Sequence, residues 1–185
     1  NCWLTLTSHV PYKIPGPPTF QGNDETTKFL NSVHYTDEVI GNLISGCKQQ
    51  PWWKNTLIVI IADHGIRFPQ TGKIINDFKI PMLWLGGVVE KNKGLIIDKL
   101  ASQIDLAATI VKQLGWNASA FPFSRDITDS TSIPFSFFSN SISFALVQPN
   151  NYFIYDVKGK RIKEQQGGVT ENDINAGEAL QQVIY

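Results

Sequence analysis

The sequence predicts an α/β fold: a mostly parallel sheet flanked by helices, with a small antiparallel region at the C-terminal end. Residues 56–62 form an unbroken, largely β-branched apolar run, the pattern of a strand buried on both faces. On either side, apolar residues recur at three- and four-residue steps, the period of a helix with one buried face. Toward the end, short alternating segments are separated by turn residues, which predicts antiparallel pairing.

Taken in order, residues 2–7 read as a first core strand, ending at Ser8-His9. A loop rich in proline follows (Pro11, Pro15, Pro17, Pro18), where regular pairing is blocked. Phe29, Leu30, Val33, Ile40, Leu43, Ile44 and Cys47 mark the first helix. Asp24 and Glu25 stand at its start, where carboxylates suit the helix dipole, and Pro51 ends it. Trp52 and Trp53 read as anchors of the turn into the strand at 56–62. A second strand, 80–85, stops at Gly86-Gly87. Residues 98–114 predict a helix with Leu100, Ile104, Ala107, Ala108, Val111 and Leu114 inward and Gly115 as its stop. The stretch 117–140, rich in Ser, Phe and Pro, reads as an irregular connection. Strands are expected at 142–148, 152–157 and 161–165, the last two joined through Lys158-Gly159-Lys160, and a closing helix at 171–184. The organisation expected is one domain, residues 1–140 followed by 141–185 as closing antiparallel strands and helix of the same domain.

The 185 residues are enough to bury a hydrophobic core. Lys+Arg and Asp+Glu balance at 16 each, so the basic footprint that nucleic-acid binding needs is lacking. The short cluster Lys158-Gly159-Lys160-Arg161 reads as a hairpin turn. Cys2 and Cys47 have no metal-type spacing; Cys47 reads as a buried free thiol on the first helix, with a disulfide between the two as the alternative. No apolar run is long enough to span a bilayer. A chain that opens inside a core strand, without an initiator Met or a leader, is expected to be a piece of a longer polypeptide.

Asp63-His64-Gly65 is the sharpest chemical feature. It ends a central strand, where α/β sheets place ligand groups. Adjacent carboxylate and imidazole donors suit one divalent cation, Zn or Mn and less comfortably Mg, provided the backbone turns sharply at Gly65. The same three residues also read as a strand-end Asp capping a loop with a polar His beside it. His9 ends the first strand candidate; by itself it reads as a loop histidine bonded to backbone, and if its strand neighbours the one at 56–62 it opens onto the same sheet edge, where it can bond an anionic group or protonate a leaving oxygen. Arg67 has the forked geometry for a phosphate or sulfate, or is a surface charge. His34 reads as a helix-surface residue, and Asp105 as a first-turn carboxylate of the later helix.

Five blocks in this order, LTLTSHVPY, YTDEVIGNLI, PWWKNTLIVIIADHG, KIPMLWLGG and SQIDLAATIVKQLG, resemble the sulfatase-like branch of the alkaline phosphatase superfamily. Within it the chain looks most similar to phosphoglycerol transferases of the lipoteichoic-acid-synthase type, over roughly residues 2 to 115. The resemblance implies an alkaline-phosphatase-like sheet and a divalent metal (Mn, Mg or Zn) ligated by Asp63 and His64. It implies substrate contacts from His9 and, as a weaker match, Arg67. Ile66 stands where many relatives carry a further His. The family's nucleophile, Thr or formylglycine, and its remaining metal carboxylate belong to the preceding half of the domain, so no catalytic nucleophile is expected in this chain. The implied substrate is a lipid-linked or otherwise anionic phosphate or sulfate ester. The implied setting is the extracytoplasmic face of a bacterial membrane or the periplasm, with membrane attachment through the preceding region. Phosphoglycerol or phosphoethanolamine transfer is the leading expectation, sulfuric ester hydrolysis the rival, and an inactive binding module of the same fold the third reading.

Overall fold

The computed structural model describes residues 1–65 and 71–184, and the chain divides into two compact units, Asn1–Gly94 and Leu95–Tyr185. The α/β class stands. The division expected after residue 140 falls in a strand-to-strand turn of the second unit.

In the first unit, helix α1 (Glu25–Lys48) begins where Asp24 accepts bonds from the Thr27 amide, 2.9 Å, and the Thr27 hydroxyl, 2.6 Å. Asn31 clamps the end of the proline-rich loop to this helix. Its amide accepts from the Phe20 N–H and donates to the Phe20 carbonyl, both at 2.8 Å. Tyr12 adds an edge contact to Phe29. The buried residues of α1 are therefore Asn31, Ser32 and Ile44. Leu30, Val33 and Leu43, expected inward, stay about two-fifths exposed, because the side facing the loop is built for hydrogen bonding. Cys47 is free and half-buried rather than buried.

A 3₁₀ turn, Pro51–Asn55, leads into strand β1 (Ile58–Ile61). Strand β2 (Met82–Leu85) follows the one-turn helix α2 (Ile74–Asp77), and a second 3₁₀ turn, Gly87–Asn92, comes after it. β1 pairs with β2 from Ile58↔Leu85 to Ile61↔Met82, and the pairing is antiparallel. This corrects the expected parallel arrangement among the described strands: an aliphatic run reports burial but carries no information about strand direction. β1 is also half-buried, since a two-stranded ladder covers one edge of each strand. Residues 2–6 form no strand; they lack a ladder partner, and Trp3, Leu4 and Leu6 are exposed.

The second unit is organised by a buried ion pair. Helix α3 (Asp105–Gln113) starts with Asp105, which is 1% exposed. Its carboxylate accepts from the Ser102 amide, the Arg125 amide and the Arg125 guanidinium. The guanidinium also donates to the carbonyls of Ile133 and Phe135 and lies 3.6 Å from the centre of the Phe135 ring. Thr109 extends the seam, its hydroxyl donating to the Asp105 carbonyl and accepting from the Ile127 amide. α3 is shorter than expected at its N-terminal end. Lys99 bonds the Asp129 carbonyl and the Ser132 hydroxyl, and Ser102 bonds both backbone groups of Phe137. Those long-range bonds hold residues 98–104 out of the helix. Gly115, at φ +75°, closes α3 as expected.

Four antiparallel strands follow in spatial order: β3 (Ser136–Ser139), β4 (Ser143–Val147), β5 (Tyr152–Asp156) and β6 (Arg161–Gln166). The last three were expected; β3 was not, since Phe137-Phe138 between serines gives little strand signal. Helix α4 (Glu171–Ile184) covers one face of the sheet. Gly177 lets it approach closely, because a Cβ there would overlap the Phe144 ring. Phe137, Phe144, Leu146, Phe153 and Tyr155 form the core beneath it.

Arg125→Ala should strand the Asp105 carboxylate in the interior and destabilise the chain by about 3–5 kcal/mol, read by urea unfolding. Replacing both partners with apolar residues should cost clearly less than that single change.

Carboxylates at loop and helix starts set the acid limb of stability. Hydrogen bonds hold four of them below the ordinary value of 3.8: from the Thr27 side chain to Asp24, the Thr131 side chain to Asp129, the Gly159 amide to Asp156 and the Thr170 side chain to Asp173. A depressed native pKa stabilises the fold above the unfolded value, and that contribution is lost as pH falls through the native one. Stability should therefore drop below pH 3.8, and Asp24→Asn with Asp173→Asn should flatten the drop in acid-unfolding curves.

Candidate metal and anion site

β1 delivers its chain through Ala62 into Asp63-His64-Gly65, as the sequence predicts. Both side chains face solvent, Asp63 at 79% and His64 at 65% exposure. The Asp63 carboxylate accepts from the His64 backbone N–H at 3.0 Å, which folds it back over the turn. Its Oδ1 then stands 3.8 Å from His64 Nε2. His64 Nδ1 lies 2.8 Å from the Gly65 carbonyl. A carbonyl oxygen only accepts, so Nδ1 carries the proton in this bond, and Nε2 is the ring nitrogen left open to a cation.

Gly65 serves the turn for a reason the sequence concealed. Its φ is outside the left-handed region, so conformational freedom is not what the position demands. A Cβ at Gly65 would instead overlap the Asp77 carbonyl oxygen and lie 2.6 Å from Phe78 Cα. The turn is thus seated on the backbone at the end of α2. Asp77 fixes that seat from the other side, its carboxylate accepting from the Thr71 amide and hydroxyl. The far end of the β1–β2 pair is held alike: a Cβ on Gly86 would overlap the Thr56 carbonyl, and one on Gly87 would overlap the Lys54 backbone.

His9 is on a pair of successive turns, its N–H bonded to the Leu6 carbonyl and its carbonyl to the Tyr12 N–H. It does not end a strand, because residues 2–6 form none. The ring is exposed, and its Nδ1 bonds the Val10 carbonyl at 3.0 Å, so His9 also presents Nε2. Among the described residues no three His, Cys, Asp or Glu side chains gather as a metal-holding cluster. The structure therefore brings Asp63 and His64 together and does not add His9 to them as a third ligand. Arg67 and Ile66 lie outside the described residues. His34 has Glu38 at 3.9 Å and the Phe20 ring edge-on, a helix-surface setting.

The donor set fits a divalent cation in part. Ligand atoms on one tetrahedral Zn stand roughly 3.3 Å apart for bonds of about 2.0–2.1 Å, so a small rotation brings the 3.8 Å pair to that bite. Two donors are half of a tetrahedral set. The buried Asp105–Arg125 pair offers nothing to such a site, because both carboxylate oxygens are occupied by donors within its own unit.

The sulfatase family model matches residues 2–116. The lipoteichoic acid synthase-like YvgJ of Bacillus subtilis is 21% identical over 194 aligned residues, covering 93% of this chain and 30% of YvgJ. A sulfatase of Formosa agariphila is 28% identical over 98 residues, covering 50% of this chain and 19% of that protein. A solved structure from Vibrio parahaemolyticus, described as a protein in the alkaline phosphatase superfamily, superimposes with a TM-score of 0.72. It is 24% identical, with 95% of this chain and 45% of that one covered. The lipoteichoic acid synthase LtaP of Listeria monocytogenes gives a TM-score of 0.65 at 19% identity, covering 97% of this chain and 50% of LtaP. At these identities the structural matches establish the fold. The chain thus spans half or less of the length of each of these relatives.

Gly65→Ala should force the turn off the α2 backbone and destabilise the chain by about 1–3 kcal/mol, the usual range for overpacking. Gly72→Ala is the contrast: nothing lies within 4 Å of a Cβ there, so its effect is confined to the φ of +81°. Urea midpoints of the two variants test the difference.

Proposed function

The chain belongs to the sulfatase family, and from that premise we propose that it is the C-terminal part of a metal-dependent catalytic domain. Its reaction is transfer of phosphoglycerol or phosphoethanolamine between lipid-linked substrates of the cell envelope. One observation carries the reading: a carboxylate and an imidazole side by side at the end of β1, with His64 bonded through Nδ1 so that Nε2 is left open. Homology to YvgJ over 93% of the chain supports the transferase branch.

In this reading Asp63 and His64 hold a divalent cation, Mn, Mg or Zn. When bound, the cation supplies Lewis-acid stabilisation of charge that develops on the transferring group. His9, with Nε2 directed outward, donates from that nitrogen when the ring is protonated, to an oxygen of the anionic ester or to the leaving oxygen. Arg67 grips two oxygens of the same group with its forked donors. The nucleophile and the remaining ligands come from the portion of the relatives that this chain does not span, so the chain by itself turns over nothing. The proposed location is the extracytoplasmic side of a bacterial membrane. Among the described residues no helix is long and apolar enough to cross one.

Sulfuric ester hydrolysis is the second reading, favoured by the 28% identity to the Formosa agariphila sulfatase over 98 residues. The two separate on substrate. The full-length protein is expected to convert a phosphatidylglycerol donor to diacylglycerol, with the glycerophosphate passing to an acceptor hydroxyl, and to leave aryl sulfate esters intact; the reverse pattern favours the hydrolase. Asp63→Ala and His64→Ala should each abolish that activity, and unchanged turnover would sink the metal assignment. On the chain by itself, isothermal titration should find only weak Mn or Zn binding, because two donors are half a tetrahedral set. Tight one-to-one binding would refute the proposed half-site.

A further inference from the structure

The four-stranded sheet ends in two adjacent turns whose composition the proposed chemistry does not use. β3 and β4 are joined through Asn140, Ser141 and Ile142, and β5 and β6 through 157–160. Ser143 pairs with Asp156, and the Val157 N–H bonds the Ile142 carbonyl at 3.0 Å, so both turns share one end of the sheet. Lys158, Lys160, Arg161 and Lys163 crowd this end against one carboxylate in the same stretch, Asp156, in a chain whose charges balance as a whole. Asp156 reaches Lys163 at 3.5 Å and Arg161 at 4.0 Å, leaving a clear cationic excess. Next along β6, Glu164 is bonded to the Tyr152 hydroxyl.

Two further observations distinguish this tip from an ordinary solvated turn. Ile142 and Val157 are exposed side by side, at 53% and 36%, among the cations. Lys160 has a φ of +48°, a left-handed conformation that disfavours a long side chain, although Gly159 stands next to it. The Gly159 amide bonds Asp156 Oδ1 at 2.8 Å and fixes the turn in that form. A cation is therefore held at the tip against the local backbone preference.

We infer that this end of the sheet is a docking surface for an anionic lipid bilayer. The cations meet lipid phosphates in the headgroup layer, while Ile142 and Val157 enter the boundary with the acyl region. A soluble polyanion would satisfy the charges and leave the aliphatic pair in water. For that reason the bilayer is the occupant the surface fits. The inference does not use Asp63, His64 or the transferase reading, and it is read by binding rather than by turnover.

Sedimentation with vesicles of phosphatidylglycerol and phosphatidylcholine in equal parts tests it, using the whole chain. The chain should bind these vesicles and not vesicles of phosphatidylcholine. Replacing Lys158, Lys160 and Arg161 together by Gln should weaken partitioning by about tenfold or more, since each basic side chain near such a surface contributes measurably. Ile142→Ser with Val157→Ser should weaken it about fivefold, and this loss should persist at high salt, where screening has removed most of the charge effect. Lys91→Gln with Lys93→Gln, an equally exposed pair elsewhere, should change nothing. Absence of binding to the anionic vesicles overturns the proposal. So does an aliphatic double variant that binds them, and heparin, as well as the original chain does; that result assigns the tip to a soluble polyanion.

Discussion

The contact between Arg125 and Asp105 is the interaction on which the second unit depends. A carboxylate that is 1% exposed is tolerable only when its charge and lone pairs are met in full, and here the backbone and the guanidinium meet them together. Arg125 also donates to two carbonyls of the approach to β3 and stacks on Phe135. One side chain thus joins the start of α3, the irregular connection and the entry to the sheet. The connection needs this joint because it has little regular structure to satisfy its backbone.

In the first unit the comparable constraint is steric. Gly65, Gly86 and Gly87 stand where a Cβ would overlap a neighbouring backbone, at both ends of the β1–β2 pair. Their role is to let chain meet chain without an intervening side chain. At Gly65 the consequence is chemical: the turn carrying Asp63 and His64 is pressed on α2, and the two donors project from a supported base although both are exposed. On the proposed reading, a supported turn keeps the two donors in position for a cation, which a free loop would lose to rotation.

Much of this was legible in the sequence, and the failures have identifiable causes. The helical period marked α1 and α3, and turn residues separated β5 from β6, because these signals are local. Strand direction in β1–β2 was not legible, since aliphatic side chains report burial and are silent on polarity. β3 was missed because its sequence, Ser-Phe-Phe-Ser, has its order imposed by Ser102, 35 residues before Phe137. Asp105 was read as a first-turn carboxylate; its partner lies 20 residues on, in a stretch with no periodic signal. For Asp63 and His64 the Gly in the motif signalled a turn, and it is this turn, not adjacency in sequence, that brings the two side chains within 3.8 Å. His9 was harder: its assignment to a strand end rested on a strand that has no partner here.

That asymmetry bears on how such a site reaches affinity. Two exposed donors lose rotational freedom when they close on a cation, and the gain from two bonds must also offset the ion's lost hydration. With donors from another part of the domain the balance changes, because each added ligand arrives on a backbone already ordered by packing. Metal binding free energy and the free energy of joining the two parts then become one quantity, as in sites whose ligands are assembled by folding. On the proposed reading, Asp63 and His64 contribute position more than affinity: β1 and the α2 seat fix where the cation sits, and completion of the ligand set decides whether it stays.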